Sequence, residues 1–238
     1  MASVPPPLAS VIIAVRNAAA YLGACLDSVS AQTFDDFEIL VIDGQSVDAT
    51  EAIARSCARV RFLQQPGKGF ANAWNWGLRN ARGELIAFID SDDRWAPNKL
   101  AGQVAMLREQ PELEGVIGKV RFFLEPGETP ARGFREDILG EDHLAHMPGA
   151  LLARRRLFDH IGDWGEDWVI ANDIDWFVKL KDSGLPIGIL DEVVLHKRVH
   201  ARNLSYLTAA DPVYPSEVLR ALRASILRKR AAGRTKDA

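Results

Sequence analysis

Residues 85–95, with the sequence LIAFIDSDDRW, place three carboxylates directly after a run of apolar residues. The apolar run is typical of a buried β-strand, and Asp90, Asp92 and Asp93 follow at its end. Like charges repel one another and are costly to desolvate, so the pattern favours a compensating cation. Hard cations such as Mg²⁺ and Mn²⁺ take oxygen ligands. In the alternative interpretation the acids are solvated, and Asp93 caps a helix that begins near Pro97.

Strand and helix patterns alternate along the first half of the chain. Runs of β-branched and apolar residues predict four strands, and apolar residues at helical spacing predict a helix after each strand. The strands are expected at 10–15, 38–43, 60–63 and 85–90, and the helices at 19–31, 49–58, 70–81 and 97–109. This order implies a parallel sheet with helices on both faces. Asp43 and Asp90 end the second and fourth strands, so we expect them to meet at the carboxyl edge, where open sheets bind ligands.

The second half of the chain is less regular. Its patterns predict a strand at 115–124, a loop at 125–146, helices at 154–161 and 173–183, short strands at 186–192 and 193–200, and a basic helix at 215–232.

The composition is that of a globular protein, with 47% hydrophobic and 26% charged residues. A net charge of −3 argues against nucleic-acid binding. No apolar run approaches the length of a membrane span, and the start of the chain lacks a signal-peptide pattern, so we expect a cytoplasmic location. Cys25 and Cys57 lie in predicted helices and favour structural thiols. The chain has no P-loop motif, and no G-x-G-x-x-G follows its first strand, which disfavours P-loop NTPases and dinucleotide dehydrogenases.

Two long segments resemble a known family. SVIIAVRNAAAYLGACLDSVSAQTFDDFEILVIDGQSVDAT begins at residue 10, and GKGFANAWNWGLRNARGELIAFIDSDDRW begins at residue 67. In the order and spacing of these motifs, residues 8–108 resemble family 2 glycosyltransferases. Residues 158–180 and 198–205 resemble the family more weakly. The resemblance implies the GT-A fold, a Rossmann-like α/β open sheet that is mostly parallel, with helices on both faces and a smaller acceptor-side region.

The resemblance also implies an activity. A family member of this type transfers a sugar, with inversion, from a nucleotide diphosphate sugar to a hydroxyl group, and a UDP-sugar is the favoured donor. The acceptor would be a glycan, a lipid-linked glycan or a protein, in polysaccharide, glycolipid or glycoprotein synthesis. The implied cofactor is Mn²⁺ or Mg²⁺. The expected regions are a flexible N-terminus (1–7), a nucleotide-sugar-binding half (8–110), an acceptor-binding and catalytic half (111–212), and a basic C-terminal helix and tail (213–238).

By resemblance, individual residues receive roles. Asp173, in the segment NDID, matches the general base of the family. Asp92 and Asp93 match the metal-binding positions of the DxD motif, and His200 matches a metal ligand of some relatives. Contacts with the donor are implied for Val15, Asn17, Asp43, Lys68, Trp74, Asp90, Ser91 and Asp92.

The chain departs from the family pattern at three of these places. Gly44 stands where a second Asp is common, and Trp74 stands where an Arg often contacts the nucleotide base. The second departure makes a uracil-specific donor less secure. Asn172 replaces the usual Glu, which leaves the proposed base Asp173 in place.

Several of the candidate site residues also have a purely structural interpretation. An Asp beside a helix start, such as Asp173, is often an N-cap, and His200 could be a surface or hydrogen-bonded histidine. Three other tryptophans could stack on a sugar or fill the core, namely Trp95, Trp164 and Trp168.

Two other functions compete with the transferase interpretation. A catalytically silent module on the same fold could bind nucleotide sugars or glycans. The presence of all four expected acids favours the enzyme, namely Asp43, Asp92, Asp93 and Asp173. A nucleotidyltransferase of the sugar-nucleotide pyrophosphorylase type would need a basic, Gly-rich N-terminal loop, which this sequence lacks.

The basic tail allows two interpretations. Residues 216–230, SEVLRALRASILRKR, place Val218, Leu219, Leu222 and Ile226 at helical spacing among five bases. Such a helix can associate weakly, and in a salt-sensitive way, with the anionic inner face of a membrane. Alternatively, the helix packs its apolar stripe on the domain and turns its charges to water.

Overall fold

The computed structural model describes residues 5–130, 134–168, 171–201, 203 and 213–234. The first half of the chain forms β1 (Ala9–Val15), α1 (Leu22–Ser30), β2 (Phe37–Asp43), α2 (Thr50–Ser56), β3 (Val60–Gln64), α3 (Phe70–Asn80), β4 (Leu85–Asp90), β5 (Arg94–Trp95) and α4 (Lys99–Glu109). The second half forms β6 (Gly115–Phe123), β7 (Asp142–Leu144), β8 (Leu151–Arg154), α5 (Arg155–Ile161), α6 (Asn172–Ser183), β9 (Ile187–Arg198) and α7 (Val213–Arg234). Residues 1–4 of the predicted N-terminal segment and 235–238 of the predicted tail lie outside this description.

The strands form one open, mixed sheet in the order β3-β2-β1-β4-β8-β6-β9-β5, and β7 pairs with β6. The four strands predicted in the first half are parallel to one another. β8 runs antiparallel to both β4 and β6, while β9 runs parallel to β6. The predicted mostly parallel α/β sheet is therefore confirmed.

Helices cover both faces of the sheet because the central strands are apolar on both sides. In β1, Val11 and Ile13 join a core with residues of α1 and α4. The alternate residue Ile12 joins a second core with residues of α3, α5 and α6. Gly77 lets α3 approach the sheet closely, since a Cβ there would lie 2.4 Å from Cγ2 of Ile12. This packing holds the strand ends in a fixed arrangement.

Several strands differ from the sequence-based expectation. The two short strands expected at 186–192 and 193–200 are one strand, β9, whose pairing with β6 shifts register near Gly118. β8 and β5 were not predicted, and the expected loop at 125–146 contains β7.

Among the described helices, none is long and apolar enough to span a membrane.

Candidate active site

The carboxyl ends of β1, β2 and β4 lie side by side at one edge of the sheet. Val15 at the end of β1 is the register partner of Asp43 at the end of β2. On the other side of β1, Ala14 pairs with Asp90 at the end of β4. The expected convergence of strand-end acids is confirmed, and it falls where open α/β sheets bind ligands.

A hydrogen-bond network joins the loops that follow β1 and β2. The carboxylate of Asp43, which is 1% exposed, accepts hydrogen bonds from the backbone N–H of Ser46 at 3.0 Å and from its hydroxyl at 2.5 Å. The backbone N–H of Asn17 donates to the Ser46 hydroxyl at 2.8 Å, and its side-chain Oδ1 accepts from the N–H of Val47 at 2.9 Å. Asn17 has a φ of 50°, a left-handed conformation that Asn tolerates better than most residues. Asp43 thus holds the loop that follows β2 through both of its carboxylate oxygens, and its contact with a donor stays a prediction.

Gly44 follows Asp43 in a tight space. Its N–H donates to the carbonyl oxygen of Val15 at 2.8 Å. A Cβ at this position would lie 3.1 Å from Oε1 of Gln65 and 3.3 Å from the Val15 carbonyl oxygen. The buried side chain of Gln65 thus takes up room beside the position where the family commonly has a second Asp.

Two other residues predicted to contact the donor lie in different settings. Lys68 is exposed in the loop between β3 and α3. Trp74 is 5% exposed, and its ring packs 4.8 Å from the ring of Trp164 and 5.6 Å from that of Phe88. This enclosure argues against the predicted contact of Trp74 with the donor, because its ring offers no free face.

The predicted acidic cluster forms at the end of β4. Asp90, Asp92 and Asp93 each offer a carboxylate oxygen, and the three atoms lie within 4.8 Å of one another. The Asp90 side chain is 39% exposed and the Asp92 side chain 23%, whereas the Asp93 side chain is 1% exposed. Ser91 lies between them and is half-buried. The carboxylates of Asp90 and Asp92 therefore face solvent at this end of the sheet, and the carboxylate of Asp93 lies beneath them.

Lys197 on β9 supplies a positive charge within this cluster. Its Nζ lies 3.0 Å from Oδ2 of Asp93 and 3.2 Å from Oδ2 of Asp90. The antiparallel register that pairs Arg94 with His196 brings the residue after His196 next to the acids. Lys197, which no local sequence pattern identifies, compensates part of the negative charge that suggested a cation.

Arg198 clamps the same loop through its backbone and its side chain. Its N–H donates to Oδ1 of Asp93 at 2.9 Å, and its Nε donates to the carbonyl oxygen of Asp92 at 2.8 Å. Its Nη1 donates to Glu125 at 2.7 Å. The Arg198 side chain is only 4% exposed, so it fixes the acidic loop and faces little solvent.

His200 and Asn203 hold the carboxylate of Asp92. Nε2 of His200 lies 3.1 Å from Oδ2 of Asp92, and the amide of Asn203 donates to the same oxygen at 3.3 Å. The His200 ring also stacks on Tyr21, with 4.7 Å between ring centroids. His200 therefore lies at the cluster, and its role as a metal ligand, which the family resemblance implies, stays a prediction.

The pKa values reflect this crowding of charges. Burial raises the pKa of Asp93 to about 8, and the charges of Asp92 and Asp90 act in the same direction against the attraction of Lys197. Burial would also raise the pKa of Asp92, but the hydrogen bond from His200 and the charge of Lys197 outweigh it and lower that pKa. Desolvation would lower the pKa of Lys197, yet the three carboxylates hold it well above its ordinary value.

Asp173 belongs to the same electrostatic environment. It lies in the first turn of α6, half-buried, and its Oδ1 accepts a hydrogen bond from the N–H of Ile174 at 2.8 Å. Burial raises the pKa of Asp173, and the charge of Asp90 raises it further, while Lys197 acts in the opposite direction. A carboxylate with a raised pKa beside a ligand-binding edge is a candidate general base.

Neither helix-capping alternative matches the structure. α4 begins at Lys99, with Asn98 rather than Asp93 at the N-cap position. α6 begins at Asn172 with Ala171 at the N-cap position, so Asp173 is the second residue of the helix.

The other tryptophans considered for sugar stacking are mainly structural. Trp95 is 3% exposed and donates from Nε1 to the carbonyl oxygen of Gly149 at 3.0 Å, and Trp164 is 1% exposed. Trp168 is half-buried, with the guanidinium of Arg220 4.3 Å above its ring. Core packing accounts for the first two, and a cation–π contact engages the third.

Comparison with known proteins agrees with the fold. The family described as "Glycosyl transferase family 2" matches residues 10–170. An uncharacterised glycosyltransferase of Rickettsia typhi is 29% identical over 207 residues, which cover 82% of this chain and 64% of the relative. The chain thus spans less than two thirds of the length of that relative.

Solved structures share the fold at low sequence identity. S. aureus TarS (residues 1–349), in complex with UDP-GlcNAc, superposes with a TM-score of 0.71 at 21% identity, over 92% of this chain and 66% of TarS. A Pyrobaculum calidifontis mannosyltransferase, in complex with GDP-Man and Mn²⁺, gives a TM-score of 0.62 at 22% identity, over 96% of this chain and 75% of that protein. Since the family match extends over more than half of its residues, the chain belongs to glycosyltransferase family 2 and has the GT-A fold.

Proposed function

We propose that the protein is an inverting, metal-dependent glycosyltransferase that uses a nucleotide diphosphate sugar and Asp173 as its general base. The observation that carries this proposal is the convergence of Asp90, Asp92 and Asp93 at the carboxyl edge of the sheet. The electrostatic interaction of Asp173 with Asp90 supports a single site that contains both kinds of acid.

The acidic cluster fits a hard divalent cation. All its donor atoms are carboxylate oxygens, which Mg²⁺ and Mn²⁺ prefer, and they lie within 4.8 Å of one another. Although burial raises the pKa of Asp93 to about 8, a bound cation would favour its ionised form; the three carboxylates and the ammonium of Lys197 would then carry two net negative charges, which one divalent cation balances. Asp90, Asp92 and Asp93 would hold the cation, with His200 as a further candidate ligand. A cation bound there would neutralise the charge that develops on the departing diphosphate.

Asp173 would activate the acceptor. A sugar hydroxyl is a poor nucleophile until a base removes its proton during attack, and a positioned carboxylate supplies ~10²–10⁴-fold. The hydroxyl oxygen forms a bond to the anomeric carbon as the bond to the diphosphate breaks, and its proton goes to Asp173. One displacement from the face opposite the leaving group inverts the anomeric carbon.

The proposed donor is a specific class of nucleotide sugar, whereas the proposed acceptor is defined only by its hydroxyl group. UDP-sugars are the first choice, since TarS is described in complex with UDP-GlcNAc, and GDP-mannose is the alternative that the archaeal mannosyltransferase suggests. The acceptor is proposed only as a hydroxyl group of a glycan, a glycolipid or a glycoprotein.

Release of free nucleoside diphosphate tests the proposed function. A panel of UDP- and GDP-sugars is incubated with the protein and with Mn²⁺, Mg²⁺ or EDTA. We expect turnover with at least one donor, dependent on the metal. Donor binding without any turnover, by transfer or by hydrolysis, would instead identify a silent nucleotide-sugar-binding module.

Replacement of Lys197 by Met should destabilise the protein and increase the gain in stability that Mn²⁺ gives relative to the wild type. The side chain is 14% exposed, and removing one partner of a buried ion pair costs ~3–5 kcal/mol. The loss in free energy of unfolding should grow as the pH rises, because Asp93 then ionises without the neighbouring ammonium. Added Mn²⁺ should restore part of this free energy. Urea unfolding of Lys197→Met, with and without Mn²⁺, measures both effects.

Lys119→Met is the matched control, because Lys119 pairs with Asp191 at a surface where the acid is 89% exposed. Its free energy of unfolding should change by no more than ~1 kcal/mol. Equal effects of the two substitutions, with the same gain from Mn²⁺ in both, would contradict the role given to Lys197.

A further inference from the structure

Small and polar residues attach α7 to the rest of the protein. Ala221 and Ser225 are buried, and the Ser225 hydroxyl donates to Asp182 at the end of α6 at 2.8 Å. The buried carboxylate of Glu217 accepts a hydrogen bond from the N–H of Ala171 at 3.0 Å. Glu217, Ala221 and Ser225 follow one another at intervals of four residues, so they define the inward face of the helix.

The aliphatic side chains of α7 lie on the opposite face. Leu219 is 53% exposed, Leu222 48%, Ile226 50% and Leu227 64%. The sequence left open whether the apolar stripe packs on the domain, and the structure directs most of it to solvent. Among the described residues, nine large apolar side chains are exposed and five of these belong to α7, so the apolar exposure of the protein is concentrated here.

The outward face of α7 carries basic residues, although acids of the domain pair with three bases of the helix, Arg220 with Asp167 and both Arg228 and Lys229 with Asp182. Residues 213–234 contain six Lys or Arg residues and one acid, Glu217, which lies on the buried face. The remainder of the chain has 23 bases and 31 acids, by subtraction from 29 and 32. Arg223 and Arg230 are exposed and fall between the aliphatic residues on the helical wheel. The outward face of α7 is therefore apolar and basic on an otherwise acidic protein.

We propose that this outward face docks the protein on an anionic lipid surface. Leu219, Leu222, Ile226 and Leu227 would enter the boundary between headgroups and acyl chains, and Arg223 and Arg230 would contact lipid phosphates. A symmetric contact with a second copy of α7 is disfavoured, because it would bring like charges together. α7 packs against α6, whose first turn carries Asp173, so the lipid surface would lie about one helix diameter (~10 Å) beyond α6, on the outer side of α7.

Vesicle co-sedimentation tests the docking surface without any turnover measurement. The full-length protein is mixed with phosphatidylcholine vesicles, with and without phosphatidylglycerol, at low and high salt. We expect binding only to the anionic vesicles, and weaker binding at high salt. Arg223→Gln/Arg230→Gln should reduce the partition coefficient by ~30-fold, from about one kcal/mol for each basic residue.

A second variant tests the apolar part of the surface. Leu222→Gln/Ile226→Gln removes two half-exposed side chains and should keep the fold, as circular dichroism can verify, while it abolishes most of the binding. Ile189→Gln is the matched control, because Ile189 is 55% exposed on β9 and lies outside this face. Its binding should equal that of the wild type.

The vesicle experiment and a measurement of oligomeric state can each overturn the proposal. In the first, the contrary result is absence of wild-type binding to anionic vesicles at low salt, or equal binding by the wild type and both double variants. In the second, it is a concentration-dependent dimer, seen by analytical ultracentrifugation, that Leu222→Gln/Ile226→Gln dissociates, because the face would then belong to a second copy of the chain. None of these results depends on the proposed transferase activity.

Discussion

Asp173→Asn is expected to slow sugar transfer by ~10²–10⁴-fold, while donor affinity stays close to that of the wild type. The substitution keeps the shape of the side chain and its acceptor oxygen for the N–H of Ile174, but an amide cannot take up the acceptor proton. Steady-state turnover and calorimetric donor titration measure the two quantities separately. In the wild type the rate should rise with pH through a raised midpoint, because burial raises the pKa of Asp173 and the base must be ionised.

Asp159→Asn is the control for this substitution. Asp159 is an exposed acid on α5, and removal of its charge should leave turnover unchanged. If Asp173→Asn kept most of its turnover, or lost donor affinity instead, Asp173 would have to be assigned a structural or donor-binding role.

Asp92→Asn is expected to abolish most of the affinity for Mn²⁺ and, with it, the metal-dependent affinity for UDP. The Asp92 side chain is 23% exposed, and its carboxylate is one of the two in the cluster that face solvent. Substitution of residues that only hydrogen-bond to metal ligands already lowers metal affinity by ~10–100-fold. Loss of a ligand itself should lower the affinity at least as much. Electron paramagnetic resonance of free Mn²⁺ measures metal binding, and calorimetry measures UDP binding. Asp92 is the better target because the side chain of Asp93 is only 1% exposed and forms a buried ion pair with Lys197, so its replacement would also disturb the fold.

Asp35→Asn serves as the matched control for this experiment. Asp35 precedes β2, so it lies at the end of the parallel sheet opposite the acidic cluster, and its side chain is 85% exposed. Its variant should bind Mn²⁺ and UDP like the wild type. Wild-type affinities in Asp92→Asn would show that the cluster does not hold the metal.

The first half of the fold could be predicted because its signals are local. β1, β2 and β4 are runs of β-branched and apolar residues, and the acids at their ends follow directly in the sequence. β8 was missed because its four residues, LLAR, gain their structure from pairing with β4 and β6. A strand this short carries too little periodicity to be distinguished from the start of a helix.

The partners of the acids could not be predicted, because they come from distant parts of the chain. Lys197 meets Asp93 across 104 positions of sequence, through the register between β5 and β9. The segment HKRVH, residues 196–200, has no local feature that points Lys197 to a carboxylate. The resemblance to the family identifies His200, and Arg198 and Asn203 lie two residues before it and three residues after it.

Burial was also hard to predict where two physical effects compete. Trp74 occupies a position that often contacts the nucleotide base in relatives, yet the large apolar area of its ring is buried in an aromatic core. On α7, the hydrophobic effect alone would turn the leucines inward. Instead, the hydrogen bond from Ala171 to Glu217 and the contact between Ser225 and Asp182 select the opposite face.

Calorimetric titration of the wild-type protein with UDP, in the presence of Mn²⁺ and again in EDTA, tests the proposed donor site most directly. We expect saturable binding at one site per chain with Mn²⁺, and a large loss of affinity in EDTA, because the cation would join the diphosphate to the cluster of Asp90, Asp92 and Asp93. GDP in the same titration distinguishes the two proposed donor classes. Absence of saturable binding for both nucleotides with Mn²⁺, or an affinity that EDTA leaves unchanged, would contradict a metal-assisted nucleotide-sugar site in this protein.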